Sequence, residues 1–267
     1  MSRRIAVAGA TGVVGRALVE ILRARGRPVV PMSRATGVDL AKNQGLHAAL
    51  AGVDTVVDVS SRTTGRAGPS IDYFGHATRN LLEAERHHGV GHHVVLSIVG
   101  TDRVQSGYYE GKLVQERLTM AAPVPFTILR ATQFHEFAEQ MLRRMRIGPV
   151  AIVPKIVMQP VAAYEVAQRL ADLVEAGPSG RVPDMAGPQR HTLLEMTRKA
   201  CRANGDGAVL VPVRIPGPGG RLMANGGLLP DGRFDCGQLT FDDWLARRSA
   251  RGARTPMANP QPDAQST

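Results

Sequence analysis

Cysteine is scarce: Cys201 and Cys236 are the only two in 267 residues. Two thiols cannot build a disulfide framework or a four-thiolate zinc site, so a reducing compartment, the cytoplasm, is expected. Aromatic residues make up 4% of the chain, too few for the stacked-ring platforms that grip single-stranded nucleic acid. No apolar run approaches the ~18 residues that a membrane span needs. Neither a nucleic-acid nor a membrane partner is expected. Acidic residues are in deficit, with 33 Lys and Arg against 23 Asp and Glu, for a formal charge of +10. The bases are nevertheless scattered among the acids, which implies an arginine-rich solvated surface rather than a binding stripe. The densest group, Arg143, Arg144 and Arg146, falls near an expected helix C-terminus, where the helix dipole favours cations. The opening Ser2-Arg3-Arg4 looks like a twin-arginine export signal. Gly9, Gly12 and Gly15 interrupt the apolar stretch that follows, Arg16 ends it, and no small-residue cleavage site comes after, so it is read as structure.

What the chain does have is alternation. Short apolar strands are expected at Arg3 to Ala8, Pro28 to Met32, Asp54 to Val59, His93 to Ser97 and Phe126 to Leu129. Between them lie helical patterns at Val13 to Arg25, Asn43 to Ala51 and Ile71 to His88, with another starting near Tyr108. Strands that are apolar throughout and separated by helices predict an α/β fold: a Rossmann-type doubly wound parallel sheet, helices on both faces. Further on, helices are expected at Gln133 to Arg146, Tyr164 to Glu175, His191 to Ala203 and Phe241 to Arg248, with a strong Pro/Gly punctuation at Pro212 to Gly220. The organisation expected is a dinucleotide-binding core over 1–130 and a small substrate-binding part integrated with it over 131–249. Residues 250–267, rich in Pro, Gln, Ser and Asn, are expected to form a disordered tail. Nothing in the sequence specifies an oligomer.

Gly9-Ala10-Thr11-Gly12-Val13-Val14-Gly15 follows the first strand and opens the first helix. In that context the three glycines permit, in turn, a tight turn, close approach of backbone to a pyrophosphate, and packing of helix on sheet. The free N–H groups and dipole of the helix start face the phosphates. An NAD site usually ends its second strand with a carboxylate for the ribose 2′-hydroxyl. Here Met32 is followed by Ser33-Arg34, with no acid until Asp39. A guanidinium pairs with a 2′-phosphate, so NADP(H) is favoured over NAD(H).

The glycine turn, Asp39-Leu40, Leu50-Ala51-Gly52-Val53-Asp54, His93-Val94-Val95-Leu96-Ser97, Tyr108-x-x-x-Lys112 and Leu129-Arg130-Ala131-Thr132-Gln133-Phe134 together resemble the atypical branch of the short-chain dehydrogenase/reductase superfamily, near the NmrA-like proteins. Gln159-Pro160-Val161 and Glu165-Val166-Ala167 extend the likeness to nearly everything before the tail. The resemblance implies an enzyme that transfers hydride between NADP(H) and a small carbonyl or conjugated substrate. Asp39 and Leu40 would contact the adenine, and Val59, Ser60 and Ser61 would lie along the cofactor. Thr132, Gln133 and Phe134 would approach the nicotinamide. Tyr108 would be the general acid/base, Lys112 would hold the nicotinamide ribose, and Ser97 would orient the substrate carbonyl. Some members of this branch bind NADP(H) without turnover, and others use the cofactor transiently as epimerases or cyclases; both remain alternatives.

The spacing supports the Tyr/Lys pair on its own terms. Residues i and i+4 share a helix face, and a nearby ammonium is expected to lower the phenol toward working pH. Tyr109 has the wrong spacing. Asn80, in the long helix, is read as structural. No metal site is expected. His87 and His88 end a helix while His92 and His93 begin a strand, so the four need not converge. His135-Glu136 lacks the second histidine of a zinc-protease helix, since position 139 is Glu139.

Overall fold

The computed structural model describes residues 3–62, 66–104 and 107–252. Its first half alternates as expected: β1 (Ile5–Ala8), α1 (Val13–Ala24), β2 (Val29–Met32), α2 (Leu46–Leu50), β3 (Thr55–Asp58), α3 (Ala67–His88), β4 (His92–Ile98), α4 (Tyr108–Ala121) and β5 (Phe126–Ala131). Then follow α5 (Phe137–Arg144), β6 (Arg146–Ile147), β7 (Val150–Pro154), β8 (Val157–Met158), α6 (Ala163–Ala176), β9 (Gly180–Arg181), β10 (Asp184–Ala186), β11 (His191–Thr192), α7 (Leu193–Ala203), β12 (Val209–Val213), α8 (Gly217–Ala224), β13 (Phe234–Cys236) and α9 (Phe241–Gly252).

The main sheet runs β13-β10-β5-β4-β3-β1-β2, every pairing parallel, with β9 also on β5. Strand side chains alternate between faces, and both faces are covered. Ile5 and Val7 join a core built with α1 and α6, while Ala6 and Ala8 join one built with α2 and α3. This is the Rossmann-like doubly wound fold that the sequence predicts. The chain leaves β1 for β2 on one side and returns to β3 on the other. The switch point, where ligands bind in such sheets, therefore lies between the C-terminal ends of β1 and β3. Beyond residue 131 the chain returns α6, β9, β10 and β13 to this sheet. It also builds a smaller sheet, β12-β7-β6, which packs with α5, α7 and α9 around Met196, Leu193 and Phe241.

Element ends differ from expectation for local reasons. α3 starts at Ala67 rather than Ile71, because Pro69 sits in the first turn, where a missing N–H costs nothing. The helix expected from Gln133 begins only at Phe137, since Gln133 and His135 hydrogen-bond with the backbone of Val161 instead. α9 continues to Gly252, into the stretch expected as tail; residues 253–267 lie outside the described residues. Among the described residues no helix is long and apolar enough to cross a membrane.

Candidate cofactor and active site

The glycine turn sits at the switch point. Gly9 has φ +81, and a Cβ there would lie 2.8 Å from the Ser60 backbone and the Val59 carbonyl. At Gly15 a Cβ would lie 2.1 Å from the Gly9 carbonyl oxygen. The chain's own packing therefore requires both glycines. Gly12 is different. It is exposed, its φ of −73 and ψ of 174 suit any residue, and the nearest atom to a Cβ would be the Gly9 oxygen at 3.2 Å. The first helical bond of α1 is Arg16 N–H to the Gly12 carbonyl; the helix start has no side-chain cap and no acid in its first turn. Unbonded N–H groups, positive dipole and an open approach at Gly12 fit a pyrophosphate. Thr11 and Val13 are exposed beside it, whereas Ala10 and Val14 are buried beneath.

At the end of β2, Ser33 caps a single turn of 3-10 helix over Arg34–Thr36, its hydroxyl 3.4 Å from that of Thr36. Arg34 is exposed and makes no salt bridge among the described residues. Asp39 uses its carboxylate to accept the N–H groups of Ala41 and Lys42 at 3.1 and 3.2 Å. Leu40 is buried, and the Asn80 side chain donates to the Leu40 and Ala41 carbonyls, fastening this segment to α3.

Tyr108 opens α4, half-buried, with its hydroxyl 2.8 Å from Ser61 Oγ rather than bonded to Ser97. The helix comes this close to α3 because Gly111 has no Cβ; one would stand 2.2 Å from Ser70 Oγ and 2.6 Å from the Phe74 ring. Lys112, one turn on, is buried with its ammonium donating to the Leu96 carbonyl and Gln115 Oε1, both at 2.7 Å, and lying 4.9 Å from the Phe74 ring centre. Gln115 in turn donates to Asp58 at 2.8 Å, and Asp58 accepts the Ser60 N–H at 2.8 Å. Hydrogen bonds thus run in an open chain from Lys112 through Gln115 and Asp58 to the Ser60 N–H, and the next residue, Ser61, pairs with Tyr108.

The electrostatics differ from expectation. Burial pushes the Tyr108 phenol up to about 12; the Ser61 hydrogen bond works against this, while Tyr73 and Asp58 add to it. Lys112 does not lower it, because its ammonium is turned toward β4 and Gln115. Burial brings Lys112 itself down to about 8, opposed by Asp58 and Glu116. Ser97 lies within β4, its hydroxyl buried without a hydrogen-bond partner.

At the end of β5, the Thr132 hydroxyl donates to the Gln159 carbonyl at 2.6 Å, and Phe134 packs against the α1/α6 core. The Gln133 amide is buried toward the Tyr109 hydroxyl without a hydrogen bond of normal geometry. Orphaned polar groups at Ser60, Ser97 and Gln133 sit near the C-terminal ends of β3, β4 and β5. Each costs about 1–3 kcal/mol unpaired, a cost that a bound ligand would relieve.

Four residues here were not singled out from sequence. Asp58 had a signal, a carboxylate closing the apolar strand Thr55–Asp58; Gln115 lies one turn after Lys112. Arg130 and Glu116 are both buried and pair through two hydrogen bonds of 2.6–2.7 Å, and Arg130 reaches Asp102 at 2.8 Å, anchoring the β4–α4 connection. Only contact across the sheet end reveals these. Of the histidines, His93 pairs with Glu85 at 2.7 Å in the core and His92 with Thr127 at 2.9 Å, both turned away from His87 and His88. His135 precedes α5, its ring bonded to the Leu239 carbonyl at 3.0 Å.

The sequence profile of the NAD(P)H-binding family matches residues 9–175, from the first glycine of the turn to the end of α6. The chain belongs to that family. The matched span contains every segment that carries the resemblance to the NmrA-like, atypical short-chain dehydrogenase/reductase proteins. No curated protein matches it. Among solved structures it is similar to MoeE5 in complex with UDP-glucuronic acid and NAD, with TM-score 0.72, 20% identity and coverage of 94% of this chain and 99% of that one. It is similar to an NADPH-dependent quinone oxidoreductase from Escherichia coli, with TM-score 0.63, 19% identity and coverage of 91% and 99%. It is also similar to UDP-glucuronic acid 4-epimerase from Bacillus cereus in complex with UDP-glucuronic acid and NAD, with TM-score 0.71, 16% identity and coverage of 92% and 98%. At such identities the likeness establishes the fold. The family match gives NAD(P)H binding, and its span takes in both the glycine turn and the Tyr108/Lys112 helix.

Proposed function

We propose that this NAD(P)H-binding protein is an NADP(H)-dependent oxidoreductase that transfers hydride between the nicotinamide and a small carbonyl or conjugated substrate. The observation that carries the reading is Tyr108, held by Ser61 at the mouth of the sheet, one turn from Lys112 and across the switch point from the open start of α1. When bound, the nicotinamide cofactor supplies the hydride. Gly9 to Gly15 would hold the pyrophosphate and Ser33 with Arg34 the 2′-phosphate, which favours NADP(H) over NAD(H). Asp39 and Leu40 would border the adenine; Val59, Ser60, Ser61, Thr132, Gln133 and Phe134 would line the rest. Ser97 would orient the substrate oxygen.

The proton chemistry follows from these hydrogen bonds. With its pKa near 12, the Tyr108 phenol stays protonated at neutral pH, the form needed to donate to an alkoxide oxygen. The exposed Ser61 hydroxyl, bonded to Tyr108, offers a route by which solvent returns the proton. Lys112 is tied through Gln115 to Asp58, whose backbone partner Ser60 adjoins Ser61. The free thiols of Cys201 and Cys236 suit a reducing compartment such as the cytoplasm.

A second reading is a non-catalytic NADP(H)-responsive binder, favoured by one observation: Lys112 is buried and satisfied internally rather than presented to a ribose. Screening ketones, quinones and enones for NADPH oxidation separates the two. Turnover that Tyr108→Phe abolishes supports the oxidoreductase. Tight NADPH binding with no oxidation across the panel supports the binder, and turnover without net NADPH loss supports an epimerase.

A further inference from the structure

α2 ends its short run against the C-terminus of α3, and there His47 meets His87 and His88. Two of the three are exposed and His88 is half-buried. One ring nitrogen from each lies within 4.8 Å of those of the other two. His47 Nδ1 and His88 Nε2 are 3.3 Å apart. A tetrahedral zinc ion with bonds of about 2.0–2.1 Å places neighbouring nitrogens about 3.3–3.4 Å apart, so this pair already has the edge of a coordination tetrahedron. The His87 ring stands edge-on to both others, its centre 5.1 Å from that of His47 and 4.9 Å from that of His88. A nitrogen of His87 brought up to that edge would complete a three-nitrogen face.

The surroundings favour a cation. His87 and His88 occupy the last turn of α3, just before Gly89 turns the chain with φ +68. The final carbonyls of that helix carry its partial negative charge. Glu83 is exposed one turn before His87 on the same helix face. We infer that His47, His87 and His88 form a surface site for a borderline divalent ion of the zinc class, three imidazoles with the fourth position open to water. The ion would clip α2 to the end of α3, closing a loop between residues 41 apart in sequence. The site lies away from Tyr108, so it stands whatever reaction occurs there.

The test uses the untagged full-length chain, freed of metal by chelation and titrated calorimetrically with zinc. The expected result is one saturable site per chain, a raised melting temperature, and intense visible absorption when Co(II) replaces zinc. His47→Ala and His88→Ala should each weaken binding by at least the roughly 10- to 100-fold that loss of a supporting outer-shell group costs. His76→Ala, an exposed histidine elsewhere on α3, should bind as the wild type does. All three lie at the surface and should keep the native circular dichroism spectrum. No saturable zinc binding would overturn the assignment. So would unchanged affinity in His47→Ala, or a weak octahedral-type Co(II) spectrum.

Discussion

Gly12→Val separates ligand binding from folding at the glycine turn. The backbone at position 12 is extended, with φ −73 and ψ 174, and a Cβ would touch only the Gly9 oxygen at 3.2 Å. The substitution therefore replaces a tolerable helix cap with a poor one, costing about 1 kcal/mol. For a chain of this size that lowers the melting temperature by roughly 2–4 °C. The ligand effect is larger. Isopropyl bulk would fill the approach to the N–H groups at the start of α1, and each lost hydrogen bond to a charged phosphate is worth about 1.5–3 kcal/mol. Losing one such bond already weakens NADPH by about 10- to 150-fold, and NADH should weaken alike because the pyrophosphate is shared. Gly15→Ala is the counterpart. Its Cβ would stand 2.1 Å from the Gly9 oxygen, and overpacking against rigid backbone costs about 1–3 kcal/mol, against which Ala's helix preference returns up to ~1 kcal/mol. Calorimetric titration with both cofactors and thermal melts with and without saturating NADPH read the two effects separately. A folded Gly12→Val protein that bound NADPH with wild-type affinity would refute the assignment of the turn.

Four further outcomes are expected. Arg34→Ala should erase most of the preference for NADPH over NADH, about 1.5–3 kcal/mol or 10- to 150-fold, while NADH affinity stays nearly constant in calorimetry. Tyr108→Phe should lower kcat by about 10²–10⁴-fold on any accepted substrate with cofactor affinity retained, and wild-type turnover would count against the proton-donor role. Arg130→Met should destabilise by about 3–5 kcal/mol in urea unfolding, because it leaves Glu116 buried without its partner. Lys112 binds its proton less tightly folded, at about 8, than unfolded, near 10.5. The unfolded chain therefore holds more protons between those values, and this residue makes stability rise with pH from about 8 to 10; Lys112→Met should remove that rise.

How much of this was legible in sequence depended on how local the cause was. β1, the glycine turn and α1 could be read in order because strand, turn and helix follow one another and each glycine has a short-range reason. The doubly wound sheet could be read because buried parallel strands are apolar throughout. β10 and β13 could not: each is three residues long, and the pairing of β10 with β5 and of β13 with β10 depends on contacts far along the chain. The same distinction holds at the site. Tyr108 and Lys112 share a helix face by spacing alone, but where each points is set by α3, β3 and β4. Gly111 lets the helix settle onto Phe74, and Asp58 at the end of β3 receives Gln115. The expected lowering of the phenol by the ammonium failed for that reason: spacing gives proximity along a helix, while a pKa depends on direction and burial.

That failure bears on the chemistry. A phenol lowered toward neutral pH would serve as acid in reduction and as base in oxidation with similar ease. A phenol held near 12, bonded to a solvent-facing serine, gives up its proton readily only to a stronger base, such as a developing alkoxide. Lys112, at about 8, is largely charged at neutral pH and linked to Asp58 through Gln115. Turning that ammonium from the Leu96 carbonyl toward Tyr108 would lower the phenol and make the reverse reaction easier. A Gln115→Leu variant, which removes the amide that holds Lys112 toward Asp58, should therefore shift the pH profile of oxidation downward more than that of reduction. Identical profiles in both directions would show that these hydrogen bonds do not set the phenol.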